Sequence, residues 1–454
     1  MSFFIKTLGC KVNQVESASL HEKLSELGFM PTSEDTAEVF ILNSCAVTEK
    51  AVSETKKVVK SWIKRKPKLI VLTGCAVVSN KEDFLKLSER FGFKNLLLLG
   101  QRAKLNPSHI VSCLEGLAEG LAKDLPKFLE DEKESPPLLK NFYNRSRAFL
   151  KVQDGCSSFC SYCIVPYTRG PSRSYPLSQI LEQARLFIKQ GYREIVITGI
   201  HIGMWGKDLS PRSSLAHLLE RLEEEVERAN AKVLLRLSSI EVTEFDEEFF
   251  TFLKGSRHIC PHFHVPLQSG SNRILKLMNR HYTREEYMER LEHLKELFPY
   301  ATFGADVIVG FPTESEEDFA QTFEVVENSP LNWLHVFPYS PRPGTQAEKI
   351  KERVPEGIAK HRSSMLRRLI EKKREDFYRR LLGKSFFAIV ERAEDGQTTL
   401  LTENYVHALL NNCSIDRPLA QGELTKVKIR KVEGGKVFAE LEEAKPPKRW
   451  CSKV

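Results

Sequence analysis

The chain has no apolar run approaching the roughly 20 residues that a membrane helix requires. Its N-terminus, Met1-Ser2-Phe3-Phe4-Ile5-Lys6, has no charged segment followed by a long apolar one, so no secretory signal is read there. A soluble, cytoplasmic protein without membrane contact is the expectation. No sequence repeat is evident. Strong charge of one sign is also missing: 68 Lys and Arg stand against 60 Asp and Glu, and a net charge of +8 is modest for 454 residues. That length exceeds one ordinary core and calls for two to three domains, and an apolar fraction of 41% can fill them.

Disulfides are a poor reading of the ten cysteines, because a large chain without an export signal sits in a reducing compartment. Grouped cysteines there are more often metal ligands or catalytic groups. Cys113, Cys260, Cys413 and Cys451 have no partner spacing and read as ordinary thiols.

The first third alternates short β-rich runs with helical patterns. Phe3–Leu8, Glu38–Asn43 and Leu69–Thr73 read as strands, and Glu16–Leu27 and Thr48–Lys64 as helices, which predicts a parallel α/β sheet. Each strand ends at a cysteine: Leu8-Gly9-Cys10, Asn43-Ser44-Cys45 and Thr73-Gly74-Cys75. Ligands of such sheets gather outside the carboxyl ends of the strands, so the three thiols are placed to share one site. A polar, proline-bearing stretch from about Ala122 to Arg147 reads as a linker.

Alternation resumes at Ala148. Ala148–Gln153, Glu194–Thr198, Val233–Leu237, His262–Pro266, Thr302–Val309 and Trp333–Phe337 are expected strands, with helical patterns that include Leu177–Gln190, Ser214–Ala229 and Thr283–Leu297. Six such units suggest a partial (β/α)6 barrel with its chemistry at the strand carboxyl ends. From His361 to Lys384, nine Lys and Arg oppose three acids, which reads as a solvated helix or a polyanion contact. Five short strands between Ser385 and Leu441 then fit a small barrel of the oligonucleotide-binding type. Phe386, Phe387, Tyr405 and His407 are its candidate stacking groups, and Lys426, Lys428, Arg430 and Lys431 its candidate phosphate contacts.

The strongest chemical signal is Cys156-Ser157-Ser158-Phe159-Cys160-Ser161-Tyr162-Cys163. A zinc site usually takes four ligands, and no fourth Cys or His follows nearby. Three thiolates on a tight loop suit a 4Fe–4S cluster with one iron left open, to which S-adenosylmethionine (SAM) can bind. His201, His258, His262, His264 and His281 lack a carboxylate motif and read as packing groups.

The run CSSFCSYCIVPYTRGPSRS from Cys156 to Ser174 resembles the cluster loop of the radical SAM methylthiotransferases, and Leu8-Gly9-Cys10-Lys11-Val12-Asn13-Gln14 resembles the start of their N-terminal domain. His264–Ser271 and Gly304–Pro312 are similar to two further motifs, and the C-terminal barrel resembles a TRAM domain. Within the family the likeness is to the branch that acts on N6-threonylcarbamoyladenosine at position 37 of tRNA. Lys11-Val12 departs from the starts typical of the isopentenyladenosine and ribosomal-protein branches.

The resemblance implies four parts: a methylthiotransferase N-terminal domain over 1–121, a linker over 122–147, a radical SAM core over 148–376 and an RNA-binding barrel over 377–445. It implies two 4Fe–4S clusters, on Cys156, Cys160 and Cys163 and on Cys10, Cys45 and Cys75, the second with a site for exogenous sulfur. One SAM donates a methyl group to that sulfur, and another is cleaved to a radical that takes the C2 hydrogen of the adenine. A radical is required because that C–H bond is neither acidic nor electrophilic, in keeping with the lack of a convincing general acid–base pair. Thr198, Gly199, Ser239, Glu241, Gln268, Asp306 and Gly310 are implied around SAM, with Arg169 and Arg173 against a carboxylate of methionine or substrate. The expected partners are the tRNA anticodon stem-loop and electron- and sulfur-donor proteins, with the enzyme a monomer. Two alternatives stand beside this: a methylthiotransferase for isopentenyladenosine or a ribosomal-protein aspartate, and a non-catalytic iron–sulfur RNA-binding regulator.

Overall fold

The computed structural model describes residues 1–119, 128–130, 138–142, 145–394, 397–411 and 419–442. Most of the expected linker, Cys413 and Cys451 lie outside the described residues.

The first sheet is parallel and six-stranded: β1 (Ser2–Thr7), β2 (Met30–Pro31), β3 (Val39–Ser44), β4 (Leu69–Gly74), β5 (Leu96–Leu99) and β6 (Phe128–Leu129), in the order β2-β1-β3-β4-β5-β6. Strands β3, β4 and β5 are buried along their whole length, which is why they read as continuous apolar runs. Helices α1 (Lys11–Glu26), α2 (Glu49–Lys64), α3 (Cys75–Arg90) and α4 (Ser108–Ala118) cover the sheet. On α2, Val52, Thr55, Val59, Trp62 and Ile63 form the buried stripe, and Trp62 stacks on Phe40 of β3 at 4.9 Å. Two features escape the sequence reading. Helix α1 starts at Lys11, five residues before the expected Glu16, and β6 extends the sheet from within the expected linker. Strand order reverses between β1 and β3, and Cys10 and Cys45 follow those two strands.

A second parallel system starts at β7 (Ala148–Lys151). A short hairpin of β8 (Gln153–Asp154) and β9 (Arg173–Ser174) flanks the five-residue helix α5 (Val165–Arg169). Then follow α6 (Leu177–Lys189), β10 (Glu194–Thr198), α7 (Leu215–Arg228), β11 (Leu234–Leu237), α8 (Glu247–Gly255), β12 (His262–His264), α9 (Asn272–Leu277), α10 (Arg284–Leu297), β13 (Thr302–Val309), α11 (Glu316–Asn328), β14 (Trp333–Pro338) and α12 (Glu356–Arg380). Two three-stranded sheets, β7-β10-β11 and β12-β13-β14, are joined by a parallel bridge from Leu235 to Ile259. This is the expected six-stranded partial barrel. Ser214, Asp246, Ser271, Thr283 and Ser315 each cap a helix N-terminus through the side chain, which fixes where the strand-end loops stop. The basic run lies on α12, where Arg362 is buried against Glu314 at 2.6 Å and Lys373 donates to the carbonyls of Val326, Glu327 and Ser329, so part of its charge serves packing.

The last element is a closed barrel of β15 (Ser385–Glu394), β16 (Gln397–Thr402), β17 (His407–Asn411), β18 (Leu424–Glu433) and β19 (Lys436–Leu441). Its β16–β17 turn plugs the amino ends of the large barrel's strands. Arg236 donates to the carbonyls of Thr402 and Glu403, at 3.2 and 3.0 Å, and Asn404 bonds Thr302 and Tyr300. Tyr405 stacks on His262 at 4.0 Å, Phe386 is core and Lys232 covers the face of Phe387, so these three rings serve the fold instead of the expected stacking role. On β18, Lys426, Arg430 and Lys431 pair with Glu442, Glu440 and Glu433, which reduces the charge expected there for phosphate.

Between the first sheet and the large barrel lies a buried ionic network. Glu16 of α1 meets Arg169 at 2.9 Å, Lys151 at 3.0 Å and Lys104. Asp154 meets Arg169 at 3.0 Å and Lys151 at 2.7 Å, and all five side chains are at most 3% exposed. Burial alone would raise the Glu16 carboxyl, but Arg169, Lys104 and Lys151 outweigh it and hold it well below the usual range.

Removing one partner of such a pair strands the other charge, at about 3–5 kcal/mol. Arg236→Ala, which leaves the buried Glu194 (0% exposed) with only the longer Arg147 contact at 3.4 Å, is expected to lower urea stability by about 3 kcal/mol, the lower end of that range; a loss below about 1 kcal/mol, the surface-pair range, would contradict it. Glu16→Gln is expected to cost about as much at pH 7. Because the folded carboxyl is depressed, its contribution is present above about pH 4.3 and is lost as pH falls further. The gap between wild type and Glu16→Gln therefore narrows on acidification, and a gap that widens would contradict the ion-pair account.

Candidate active site with two thiol triads

Cys10, Cys45 and Cys75 follow β1, β3 and β4, and their loops are held by side chains of the network. Asn13 donates to the carbonyls of Leu8 and Ser44, at 2.8 and 3.0 Å, and so fixes the backbone entering Cys10 and Cys45. Arg169 grips the Asn13 amide oxygen at 2.5 Å, and Gln101, bonded to Lys104, donates to the Cys75 sulfur at 3.3 Å. Gly74 sits at φ +94°, where a Cβ would fall 2.2 Å from the Ser44 carbonyl, so only glycine lets β3 and β4 close at the cysteines. Burial pushes the Cys45 thiol up to about 11 and raises Cys10 despite the nearby Arg169.

Cys156, Cys160 and Cys163 lie on the loop between β8 and α5. Asp154 of the network is two residues upstream, and its carboxylate accepts from the Gly155 amide at 2.7 Å. Gly155 has φ +70°, and a Cβ there would lie 2.0 Å from the Pro171 carbonyl. Each thiol has a different environment. Cys156 faces His201 at 3.8 Å and accepts from the Ser158 amide; burial would raise it, but these contacts bring it below its ordinary value. His201 is itself gripped by Glu244 at 2.5 Å, and although burial opposes its charge, Cys156 and Glu244 raise it to about 9. Cys160 accepts from Arg280 at 3.3 Å, and burial lifts Cys163 to about 12. Asn279, at φ +58°, donates to the carbonyls of Ser158 and Phe159 at 3.1 Å.

Among the described residues, no group of three or more Cys, His, Asp or Glu closes tightly enough to hold a single metal ion. Yet within each triad the thiols sense one another's charge. Three thiols on neighbouring loops, with no fourth ligand beside them among the described residues, are a donor set that fits a polynuclear thiolate-bound group. The surroundings fit an anion. Three network cations face two carboxylates, and Arg169 lies in electrostatic reach of Cys10 and Cys75. At the other triad Arg280 and His201 face Cys160 and Cys156, each balanced behind by a carboxylate, Glu241 and Glu244. A bound metal ionises thiols that burial keeps neutral.

The other anticipated residues spread along the strand carboxyl ends. Thr198 is buried and its carbonyl accepts from Val152; Gly199 packs on Gln153, whose side chain also accepts from the amides of Ile200 and His201. Ser239 is exposed, and Glu241 is ion-paired to Arg280, which links the β11 end to Cys160. Gln268 holds φ +63° and bonds the backbone on both sides of Val307. Asp306 pairs with His264 at 3.2 Å. Gly310 donates to Glu314 and lies where a Cβ would be 2.6 Å from Ala359 of α12. Arg169 spends its guanidinium on Glu16, Asp154 and Asn13, inside the protein, and Arg173 donates to the carbonyls of Arg169 and Pro171. Tyr162 packs with Ile274, Met278 and Phe311. The sequence reading missed Arg280, Glu244 and Gln153, and took His201 as packing; none carries a local motif.

Residues 150–326 match the model of the Radical SAM superfamily, and residues 2–93 that of Uncharacterized protein family UPF0004. The chain is 38% identical to the threonylcarbamoyladenosine tRNA methylthiotransferase MtaB of Aquifex aeolicus, over 89% of this chain and 96% of that one. It is 39% identical to the tRNA-2-methylthio-N(6)-dimethylallyladenosine synthase of Thermotoga petrophila, over 87% and 88%. In fold it is similar to the radical S-adenosylmethionine methyltransferase TsrM of Kitasatospora setae, solved with cobalamin and a [4Fe-4S] cluster, with a TM-score of 0.55, 13% identity, and coverage of 76% and 74%. With two thiol triads set by one network, and similarity to methylthiotransferases over most of its length, this chain belongs to the radical SAM methylthiotransferase family.

Proposed function

We propose that the protein transfers a methylthio group to C2 of N6-threonylcarbamoyladenosine at position 37 of tRNA, with SAM and two 4Fe–4S clusters. The observation that carries this reading is the buried network: Arg169 and Glu16 hold Asn13 behind Cys10 and Cys45, while Asp154 leads into Cys156. Two separate thiol triads on one rigid brace suit a reaction that needs a radical source and a sulfur source at one substrate. In this reading 1–121 is the sulfur-handling domain, 148–376 the SAM core and 377–445 an RNA-binding barrel. Clusters on the two triads supply, when bound, the electron that cleaves SAM and the open iron that holds sulfur.

The chain's own residues do the rest. Arg280 bonds the Cys160 sulfur and Glu241 together, so the β11 end and the cysteine loop keep one geometry. His201 is fixed by Glu244 and places a proton donor at Cys156, where a charge-assisted contact stabilises thiolate. Gln153 fixes both turns, since its amide nitrogen donates to the carbonyls of Asp154 and Gly155 and its oxygen accepts from Ile200 and His201. The β16–β17 turn closes the amino end of the barrel, which leaves the carboxyl end for substrate. Dimethylallyladenosine is the rival substrate, given the similarity to the Thermotoga petrophila synthase.

The test is mass spectrometry of nucleosides from tRNA treated with anaerobically reconstituted protein, SAM, sulfide and reductant. The 2-methylthio derivative of N6-threonylcarbamoyladenosine is expected. Cys45→Ala is expected to abolish it and keep 5′-deoxyadenosine formation; Cys160→Ala is expected to abolish both. Modification of the dimethylallyl nucleoside alone would overturn the substrate, and SAM cleavage by Cys160→Ala would overturn the cluster assignment.

A further inference from the structure

Strand β14 is the last strand of the large barrel and a free edge of its sheet, paired with β13 alone. Its side chains alternate. Val336 is buried in the main core with Leu366 and Ile370 of α12, and Leu334 packs against that core. Trp333, His335 and Phe337 therefore turn to the other face, the lumen enclosed by the strands, across from Gly304, Asp306 and Ile308 of β13.

The three rings form one row. The centroids of Trp333 and His335 are 6.1 Å apart, and those of His335 and Phe337 6.2 Å. The Trp333 indole donates to Nε2 of His335 at 3.3 Å, so that nitrogen is an acceptor and the imidazole is neutral. His335 is exposed, and Phe337 is 42% exposed. The carboxylate across from His335, Asp306, is paired with His264 at 3.2 Å. Phe337 stands beside Ile308, which packs in one cluster with Tyr162 of the cysteine loop. The row thus runs from the amino end of the barrel towards Cys160 and Cys163.

Helix α12 brings cations to the same edge. Arg367 donates to the Val336 carbonyl at 3.1 Å, and Arg374, about two turns further on, lies over the Trp333 ring at 5.1 Å. Between them the helix also carries Arg368, Lys372 and Lys373 against a single acid, Glu371. Among the described residues, Arg367, Arg368, Lys372 and Arg374 pair with no carboxylate. Exposed rings on a free strand edge call for a partner to cover them. Flat neutral rings take the faces of unpaired nucleobases, and cations alongside take the phosphates that link those bases. A lipid or an apolar peptide would cover the rings and leave the guanidinium groups unmatched.

We propose that the inner face of β14 and the adjoining edge of α12 dock the unpaired loop of the substrate tRNA. His335 and Phe337 stack on loop bases, and Arg367 and Arg374 meet the backbone between them. This rests on the tRNA reading above and identifies the strand that meets the loop.

The test is anaerobic fluorescence-anisotropy titration of the reconstituted full chain, without SAM, against an anticodon stem-loop and a fully paired duplex of equal phosphate number. Wild type is expected to prefer the stem-loop. The double variant His335→Ala with Phe337→Ala is expected to bind the stem-loop about 10- to 100-fold more weakly, the range of stacking on one base. Its duplex affinity, iron content and melting temperature are expected to match wild type, and His335→Tyr with Phe337→Trp is expected to keep stem-loop binding. Arg367→Gln is expected to weaken both RNAs and to reduce the salt slope by about one. Unchanged stem-loop affinity in the alanine variant overturns the inference, as does equal weakening of the duplex. Weakened SAM binding with RNA affinity intact assigns the rings to the adenine of SAM and overturns it too. Photocrosslinking of wild type to a stem-loop carrying 5-iodouridine in the loop needs no variant: adducts within β14 support the contact, and adducts confined elsewhere overturn it. Wild type that binds the stem-loop no better than the duplex overturns the tRNA reading and this inference with it.

Discussion

The contact between Arg169 and Glu16, closed by Asp154, Lys151 and Lys104, is the constraint on which the site depends. Five charges at most 3% exposed are tolerable only because each carboxylate meets at least two cations and Asn13 and Gln101 take up further donors. An apolar contact of the same area would hold the first sheet to the barrel with less regard to orientation. The ionic one has a single arrangement in which all members are satisfied. Since Asn13 also holds the carbonyls before Cys10 and Cys45, that arrangement reaches the sulfur atoms with no flexible step between.

The two ends of the large barrel are used in opposite ways. At the amino end, the Glu403-Asn404-Tyr405 turn fills the opening and its polar backbone finds partners in Arg236 and Thr302. At the carboxyl end the loops turn back on one another through Arg280, His201 and Gln153, and the cysteines stay beside the lumen. Closing one end makes the C-terminal barrel part of the enzyme's core structure, whatever RNA its outer face meets. Of the rings anticipated for RNA, Tyr405 is spent on that junction, Phe386 on the small barrel's core and Phe387 on the contact with Lys232, and His407 stays exposed beside Glu391.

Strand positions were legible because burial on both faces writes itself as apolar runs such as Val39–Leu42 and Leu69–Leu72. The positions of Cys10, Cys45, Cys75 and Cys156 were legible for a related reason, since each follows a glycine or serine at or just past a strand end, whereas Cys160 and Cys163 were marked by their spacing from Cys156. Less legible was the start of α1. Lys11 to Val15 has no side-chain cap to announce a helix, and its Asn13 is buried by partners far along the chain. The contacts of Arg280, Glu244 and Arg169 are equally silent. Arg280 meets a cysteine 120 residues away, and Arg169 a glutamate 153 residues away, and no local periodicity records such pairs. Arg169 was expected near a carboxylate and is near two, but both belong to the protein.

The proposal of one cluster on each thiol triad is measured most directly by iron and acid-labile sulfide per chain, with Mössbauer spectra, after anaerobic reconstitution. Two 4Fe–4S clusters predict about eight irons and about eight sulfides, all in the spectral class of such clusters. About four irons, or a spectrum of isolated thiolate-bound iron, would contradict it.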